Sequence, residues 1–392
     1  MLFLGGGGMF KWGDDEGFRE RLFWIAIAIS VSSLFLNEWR RRTRAAAALR
    51  EPSVGTDSVD DELRRASLMQ KDDAATRRRV REAFKDAQLS IDHCLLKTTY
   101  PGVRVEEMYE TNSRGAEIFS KYWIPQLSPL KAMIFFCHGY GDTCTFFFEG
   151  AARKLASSGY GVFAVDYPGF GLSDGLHGYI PNFDILVDDV IEQFSKVKEN
   201  PEYRNLPCFL LGQSMGGAVA LKIHLKQPQA WNGAILIAPM CKIADDMVPH
   251  WLIKQLLIGI ANFLPKQKLV PTKDLADMAF KEKKKKNLVI YNVISYKDKP
   301  RLRTAVELLR ATQEIEDHLQ EVSLPLLILH GEADVVTDPS VSKALYEKAV
   351  TKDKKLNLYE GAYHAILEGE SDESIFHVLE DIVSWLDQHC LK

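Results

Sequence analysis

Short continuous apolar runs punctuate the chain at 132–137, 161–165, 208–211, 234–238, 326–329 and 356–359. Runs of this length, bounded by polar or turn residues, predict strands buried on both faces. Most alternate with helix-like stretches, at 151–158, 183–198 and 341–349. Strands and helices in alternation predict a mainly parallel sheet with helices on both faces, an α/β fold. Upstream, 106–110 and 116–123 read as two strands joined by a turn at Asn112-Ser113-Arg114-Gly115.

The alternation breaks once. Residues 241–322 hold no clear core strand but two helix-like runs, 247–263 and 304–319, with Pro265 and Pro271 between them. Helices inserted after a strand ending at Ala238-Pro239 sit above the C-terminal edge of the sheet, where open α/β sheets bind ligands. A lid is therefore expected at about 241–322. The run Lys281-Glu282-Lys283-Lys284-Lys285-Lys286 inside it reads as a solvated face.

The N-terminus has a different texture. Residues 22–36 carry no charge over 15 positions, short of the roughly 20 that a spanning helix wants. The next residues, Asn37-Glu38-Trp39-Arg40-Arg41-Arg42, argue against a cleavage site there. Asp14, Asp15, Glu16 and Glu20 argue against a simple transit peptide. Residues 1–44 are expected to be a membrane anchor, with Trp24 and Trp39 near the interfaces. The basic cluster after the run favours the remainder of the chain on the cytoplasmic side. An amphipathic helix buried on the domain and a plastid-targeting presequence are the alternatives. Residues 45–90, rich in Arg, Asp, Glu and Ala, read as an exposed, partly helical charged stalk, and 91–392 as the α/β domain.

Composition changes this picture little. Of the 392 residues, 46% are hydrophobic and 26% charged, which are globular values, and a net charge of -4 gives no reason to expect nucleic acid as a partner. The 6 cysteines are scattered without a C-x-x-C pair. That spacing argues against a zinc site or disulfide framework and suits reduced thiols in an intracellular domain. Neither a metal nor an organic cofactor is expected.

Chemistry enters at Gly212-Gln213-Ser214-Met215-Gly216. An apolar run precedes it and a helix-like run follows, which is the context of a nucleophile elbow. Alone, a G-x-S-x-G pentapeptide is weak, and an ordinary turn or helix-cap serine is its bland reading. A serine hydroxyl needs a base, and the base needs an acid to orient it. In this fold they follow in the order Ser, Asp, His, on loops after later strands. Asp334 ends the loop after 326–329, and His364 ends the loop after 356–359. Their rivals have simpler roles: Asp338 before Pro339 reads as a helix cap, His330 as a structural residue and His377 as a helix residue. For the oxyanion, the N–H of Met215 is one expected donor and that of Tyr140, in the loop His138-Gly139-Tyr140-Gly141-Asp142, is the other. The side chain of His138 is expected to bond internally.

The same pieces carry a family resemblance. Together with Asp166-Tyr167-Pro168-Gly169-Phe170-Gly171-Leu172-Ser173 and Ala362-Tyr363-His364, they resemble the monoacylglycerol lipase group of serine hydrolases over about 105–390. They most resemble its plant branch, which includes the caffeoylshikimate esterases. The resemblance implies an α/β-hydrolase fold, with Ser214, Asp334 and His364 as the triad and the Tyr140 and Met215 N–H groups as the oxyanion hole. It also puts Asp142 where a family acid meets the glycerol hydroxyls. The animal enzymes carry a longer acid there and a histidine at the position of Gln213. The expected reaction is hydrolysis of a monoacylglycerol or lysophospholipid through an acyl-enzyme. Caffeoylshikimate is the alternative ester. Its acid group wants a cation in the lid, for which Arg301, Arg303 and Arg310 are candidates. A peptidase, or a non-catalytic receptor on the same fold, is a more distant reading.

Overall fold

The computed structural model describes residues 59–241, 251–270 and 275–390, and the strands expected from the apolar runs are present in it. β1 (Val103–Thr111) and β2 (Glu117–Pro125) form the upstream hairpin. Its turn closes through a bond from the Gly115 N–H to the Asn112 carbonyl at 3.0 Å. Gly115 there has φ 79°, which favours glycine. β3 (Ala132–Cys137), β4 (Tyr160–Val165), β5 (Cys208–Gln213), β6 (Gly233–Ile237), β7 (Leu326–Gly331) and β8 (Lys354–Tyr359) follow.

One eight-stranded sheet results, in the order β1-β2-β4-β3-β5-β6-β7-β8. β3 to β8 are mutually parallel, and β2 is antiparallel to both β1 and β4. β3 to β7 are buried along their whole length. Alternate residues of β3 serve opposite cores: Met133, Phe135 and Cys137 face one, and Ala132, Ile134 and Phe136 the other. Helices Phe183–Glu199, Met215–Lys226 and Leu302–Asp317 contribute to the first core. Helices Phe147–Ser157 and Asp372–Cys390 contribute to the second. Two-sided burial is why these strands read as unbroken apolar runs.

The insert after β6 carries helices joined by turns, with no strand in its described part. It comprises Trp251–Phe263, Leu275–Ala279, Lys283–Leu288 and Leu302–Asp317. The last of these is more than a lid element. Leu308, Ala311 and Ile315 are buried in the first core, so the insert is rooted in the body. The lysine run departs from its expectation at one position. Lys283 and Lys284 are exposed, but Lys285 is buried, and its ammonium donates to the Glu370 carbonyl and pairs with Asp372 at 2.6 Å.

The charged segment also departs from the expected stalk. From Val59 onward it packs on the domain as helices Val59–Leu68 and Ala74–Leu89. Leu63 is wholly buried in the second core. Arg77 is wholly buried, donating from Nε to the Gly171 carbonyl at 2.6 Å and from its terminal nitrogens to the carbonyls of Ser173, Lys71 and Asp72. Burial lowers its pKa to about 10, so it remains a cation at neutral pH. A charged fork satisfied by backbone carbonyls can be buried where a bare charge cannot. The apolar run at 22–36 lies outside the described residues. Among the described residues no helix is long and apolar enough to cross a membrane.

Arg77→Met leaves several buried carbonyls without a donor. It is expected to cost about 2–3 kcal/mol, read as a lower urea midpoint at unchanged slope. An unchanged midpoint would show that this segment only decorates the domain.

Candidate active site

Backbone crowding builds the site's first element. A Cβ on Gly216 would lie 1.8 Å from the Cys137 carbonyl oxygen of β3, and one on Gly212 would lie 2.4 Å from the Gly216 carbonyl oxygen. Between them Ser214 adopts φ 54° and ψ -119°. That conformation costs a non-glycine residue about 1–3 kcal/mol. Its own N–H bonds to the Ile237 carbonyl of β6 at 2.9 Å, and its carbonyl accepts from Met240 at 2.9 Å. Ser214 occupies the cap position of helix Met215–Lys226, yet its side chain makes no cap hydrogen bond. The cap-serine reading thus fails, and the hydroxyl is left to the cleft it lines.

The acid and histidine meet as the chain order required. Asp334 Oδ2 accepts from His364 Nδ1 at 2.6 Å. With Nδ1 carrying the proton toward the carboxylate, Nε2 is left as the basic nitrogen. Asp334 Oδ1 accepts from the N–H groups of Val336 and Thr337 at 2.7 and 3.1 Å. Burial opposes ionisation, but the charges and hydrogen bonds of His364 and His330 hold its carboxyl well below the usual carboxylate range. Ser214 and His364 line one cleft without a direct hydrogen bond between them. Such contacts commonly tighten only when substrate binds.

The rivals take the roles expected of them. Asp338 caps helix Pro339–Lys348 by accepting from the Ser340 N–H at 2.8 Å. His377 is an exposed helix residue. His330 is wholly buried, with Nε2 at 3.0 Å from Asp334 Oδ2 and Nδ1 at 2.6 Å from Ser342 Oγ. The two nearest neighbours of Nε2, this carboxylate and the Thr337 carbonyl at 3.0 Å, are acceptors, so Nε2 carries the proton. His330 is therefore a second donor holding the acid. Thr337 is a residue the sequence reading missed. Its hydroxyl lies 2.8 Å from Asp334 Oδ2 and 3.1 Å from His364 Nδ1. A hydroxyl three positions after a candidate acid was the available signal.

The loop after β3 brings Tyr140 and Asp142 to the same cleft. A Cβ on Gly139 would stand 3.5 Å from that of Ser214, so this loop passes beside Ser214. Met215 starts a helix, and the N–H of a first helical residue has no partner within the helix. His138 is buried and bonds internally, through Nδ1 to the Gly139 carbonyl at 2.8 Å and through Nε2, which accepts from the Tyr167 N–H after β4, at 3.2 Å. Asp166 pins the loop from behind, accepting from the Thr143 hydroxyl and the Cys144 and Leu172 N–H groups, each at 2.8 Å.

The cleft, about 700 Å³, has an apolar wall that includes Phe147, Leu275, Ala279, Phe280 and Val289. It also holds a polar group of Asp142, Gln213, Asn292 and Glu368. Two ties set the insert against it: the Tyr296 N–H bonds to the Gly141 carbonyl at 2.7 Å, and the Ala365 N–H to the Ala279 carbonyl at 2.9 Å. The three candidate arginines are elsewhere. Arg301 is committed to Asp72 and the carbonyls of His177 and Lys266, Arg303 to Asn262 and Glu307, and Arg310 to Asp184 and Glu314. None of them lines the cleft.

Comparison with known proteins bears on the family and the fold. A family model described as serine aminopeptidase, S33, matches residues 128–372. The chain is 35% identical over 298 residues to a caffeoylshikimate esterase of Arabidopsis thaliana, covering 75% of this chain and 89% of that protein. It is 33% identical over 280 residues to a monoglyceride lipase of Homo sapiens, covering 71% and 89%. Among solved structures it resembles a soluble variant of the Saccharomyces cerevisiae monoglyceride lipase, at a TM-score of 0.65 and 22% identity over 75% of this chain and 97% of that one. The monoacylglycerol lipase of Paleococcus ferrophilus aligns at a TM-score of 0.60 and 21% identity over 70% and 99%. At such identities these two structures bear on the fold, which is that of the α/β-hydrolases.

The Asp334 cradle sets how well His364 is aimed. Thr337→Val removes one charge-assisted bond and is expected to slow fluorophosphonate labelling of Ser214 about tenfold. An unchanged labelling rate would leave Thr337 without a part in the site.

Proposed function

Since the chain belongs to the serine aminopeptidase S33 family of hydrolases, we propose that it is a serine esterase that cleaves monoacylglycerols or lysophospholipids through an acyl-enzyme. The carrying observation is the 2.6 Å Asp334–His364 pair on the same cleft as the strained, uncapped Ser214. In this reading His364 Nε2 takes the Ser214 proton as the hydroxyl attacks the ester carbonyl. Asp334 stabilises the imidazolium that forms and remains ionised itself. The Tyr140 and Met215 N–H groups hold the oxyanion. His364 then protonates the departing alcohol, and water cleaves the acyl-enzyme by the reverse roles.

The apolar wall suits a fatty acyl chain, and the lipase relatives favour the same substrate class. The phenolic ester is supported by one relative, the caffeoylshikimate esterase of Arabidopsis thaliana. It is weakened by the three arginines, each committed away from the cleft. We further propose that the run at 22–36 tethers the enzyme to a membrane with the catalytic domain on the cytoplasmic side, which suits a substrate residing in the bilayer.

Ser214→Ala is expected to abolish fluorophosphonate labelling and to lower ester turnover by about a thousandfold or more. Labelling that survives the substitution would remove the enzyme reading. Wild-type protein should hydrolyse monooleoylglycerol with higher kcat/KM than caffeoylshikimate, and the reverse order would replace the lipase assignment. Carbonate-washed membranes should retain the full-length chain; complete release would exclude the tether.

A further inference from the structure

His364 sits in a loop at 360–371, between β8 and helix Asp372–Cys390, that has no regular secondary structure. A base in such a loop is aimed only as well as the loop is held, and catalytic groups tolerate about half an ångström of error. The insert supplies much of the hold. The Gly361 carbonyl accepts from Lys281 Nζ at 2.7 Å. The Ala365 N–H donates to the Ala279 carbonyl at 2.9 Å, and the Gly369 carbonyl accepts from the Glu282 N–H at 2.9 Å. The Glu370 carbonyl accepts from the buried Lys285 ammonium. These four ties all come from residues 279–285, at the start of the lysine run.

Glu370 carries the hold to His364. It is only 4% exposed, and its Oε1 accepts from the N–H of Tyr363, the residue before His364, at 2.7 Å. Lys285 grips this same residue by its carbonyl, and it pairs at 2.6 Å with Asp372, where the final helix begins. Lys281 Nζ lies 3.9 Å from Glu370 Oε2. Lys283 and Lys284, on the same short helix as Lys285, are exposed. Among the described residues neither of their side chains makes a hydrogen bond or ion pair.

The upstream segment adds a tie of its own. His93 is 1% exposed. Its Nδ1 accepts from the Leu95 N–H at 3.3 Å, so Nε2 carries the proton and donates to the Glu368 carbonyl at 3.0 Å. Burial lowers its pKa, which keeps the ring neutral and this tautomer in place. Its ring also lies 4.9 Å from that of Phe147 in the cleft wall.

We propose that residues 279–285 of the insert are a fixed clamp that positions His364, with Lys285 as its main positioning residue and His93 as a second. The clamp is the part of the insert that stays closed, because opening it would break four ties to the loop at once. The inference rests on the esterase reading, in which His364 is the base, and goes beyond it in assigning these residues a part.

A double-variant cycle on the full-length protein, read by the rate of fluorophosphonate labelling, tests the clamp. Lys285→Met keeps the aliphatic stem and removes the ammonium. It should slow labelling about tenfold when His364 is present. In a His364→Ala background it should change the slow residual rate by less than about twofold, since no imidazole is left to misplace. A loss of folded protein would instead lower both rates alike. His93→Phe, which keeps a ring against Phe147, should show the same dependence on His364 with a smaller effect. Lys284→Met should match wild type; slowing equal to that of Lys285→Met would assign the effect to the charge of the helix and overturn the clamp. Where labelling depends on His364, a Lys285→Met effect that is absent, or equal in both backgrounds, overturns the clamp alone. Labelling unchanged by His364→Ala removes the esterase reading and the clamp with it.

Discussion

The site depends on a crowding that only glycine permits. β3, β5 and helix Met215–Lys226 approach so closely that a Cβ on Gly216 would overlap the Cys137 carbonyl at 1.8 Å, and one on Gly217 would come within 2.6 Å of Pro239. This approach forces the turn at Ser214 into a positive φ. It also brings the loop that carries Tyr140 beside the same turn. The strain is local, and the restraint is not. β3, β5 and β6 are buried along their full length, and Ser214 is bonded through its backbone to β6 and to Met240. A turn held by three core strands cannot relax without breaking the sheet. The exposed hydroxyl therefore follows from packing.

What was legible in the chain follows from the same physics. A strand buried on both faces must be apolar at every position, so β3 to β7 announce themselves, with boundaries shifted by a residue or two. The order Ser214, Asp334, His364 is fixed by which strand ends each one follows, and that survives translation into a linear pattern. Arg77 did not survive it. An Arg-rich helix reads as solvated, and the carbonyls that satisfy this guanidinium come chiefly from 94 to 98 residues downstream. Lys285 was misread for a similar reason, its acceptor lying 85 residues away. Asn292 and Glu368 have no spacing relation to Ser214. The topology of the insert and of the loop after β8 brings them together.

Carboxyl groups in one small volume are driven in opposite directions. Asp334 is surrounded by donors, two of them imidazoles, and its pKa is depressed. Its contribution to stability is thus present above the ordinary value of 3.8 and fades as pH falls below it. Burial raises Asp142 and Glu368, and a like charge nearby adds to the rise, with too few donors to oppose it. The difference lies in the partner groups: Asp334 is ringed by hydrogen-bond donors, and the other two carboxyls are not. A permanently ionised acid suits orienting a base. An acid that holds its proton to about pH 8 suits donating to a hydroxyl.

The wall that completes the cleft is fixed from both directions along the chain. Gln88, in the segment before the sheet, donates to the Tyr291 carbonyl at 2.7 Å, and Asp72 accepts from Arg301 at 2.6 Å. The loop after β3 accepts from Tyr296, and the loop after β8 is bonded to Ala279 and to Glu282. Asn292 sits between the Tyr291 and Tyr296 attachments, so its position is set before any ligand arrives. Preorganised polar groups bind without a reorganisation cost, whereas a mobile lid would have to be ordered by the substrate. The segment that read as an exposed stalk therefore bears on the cleft at a distance. It holds the insert in register with the sheet, and through the insert it holds the amide that completes the polar face of the cleft.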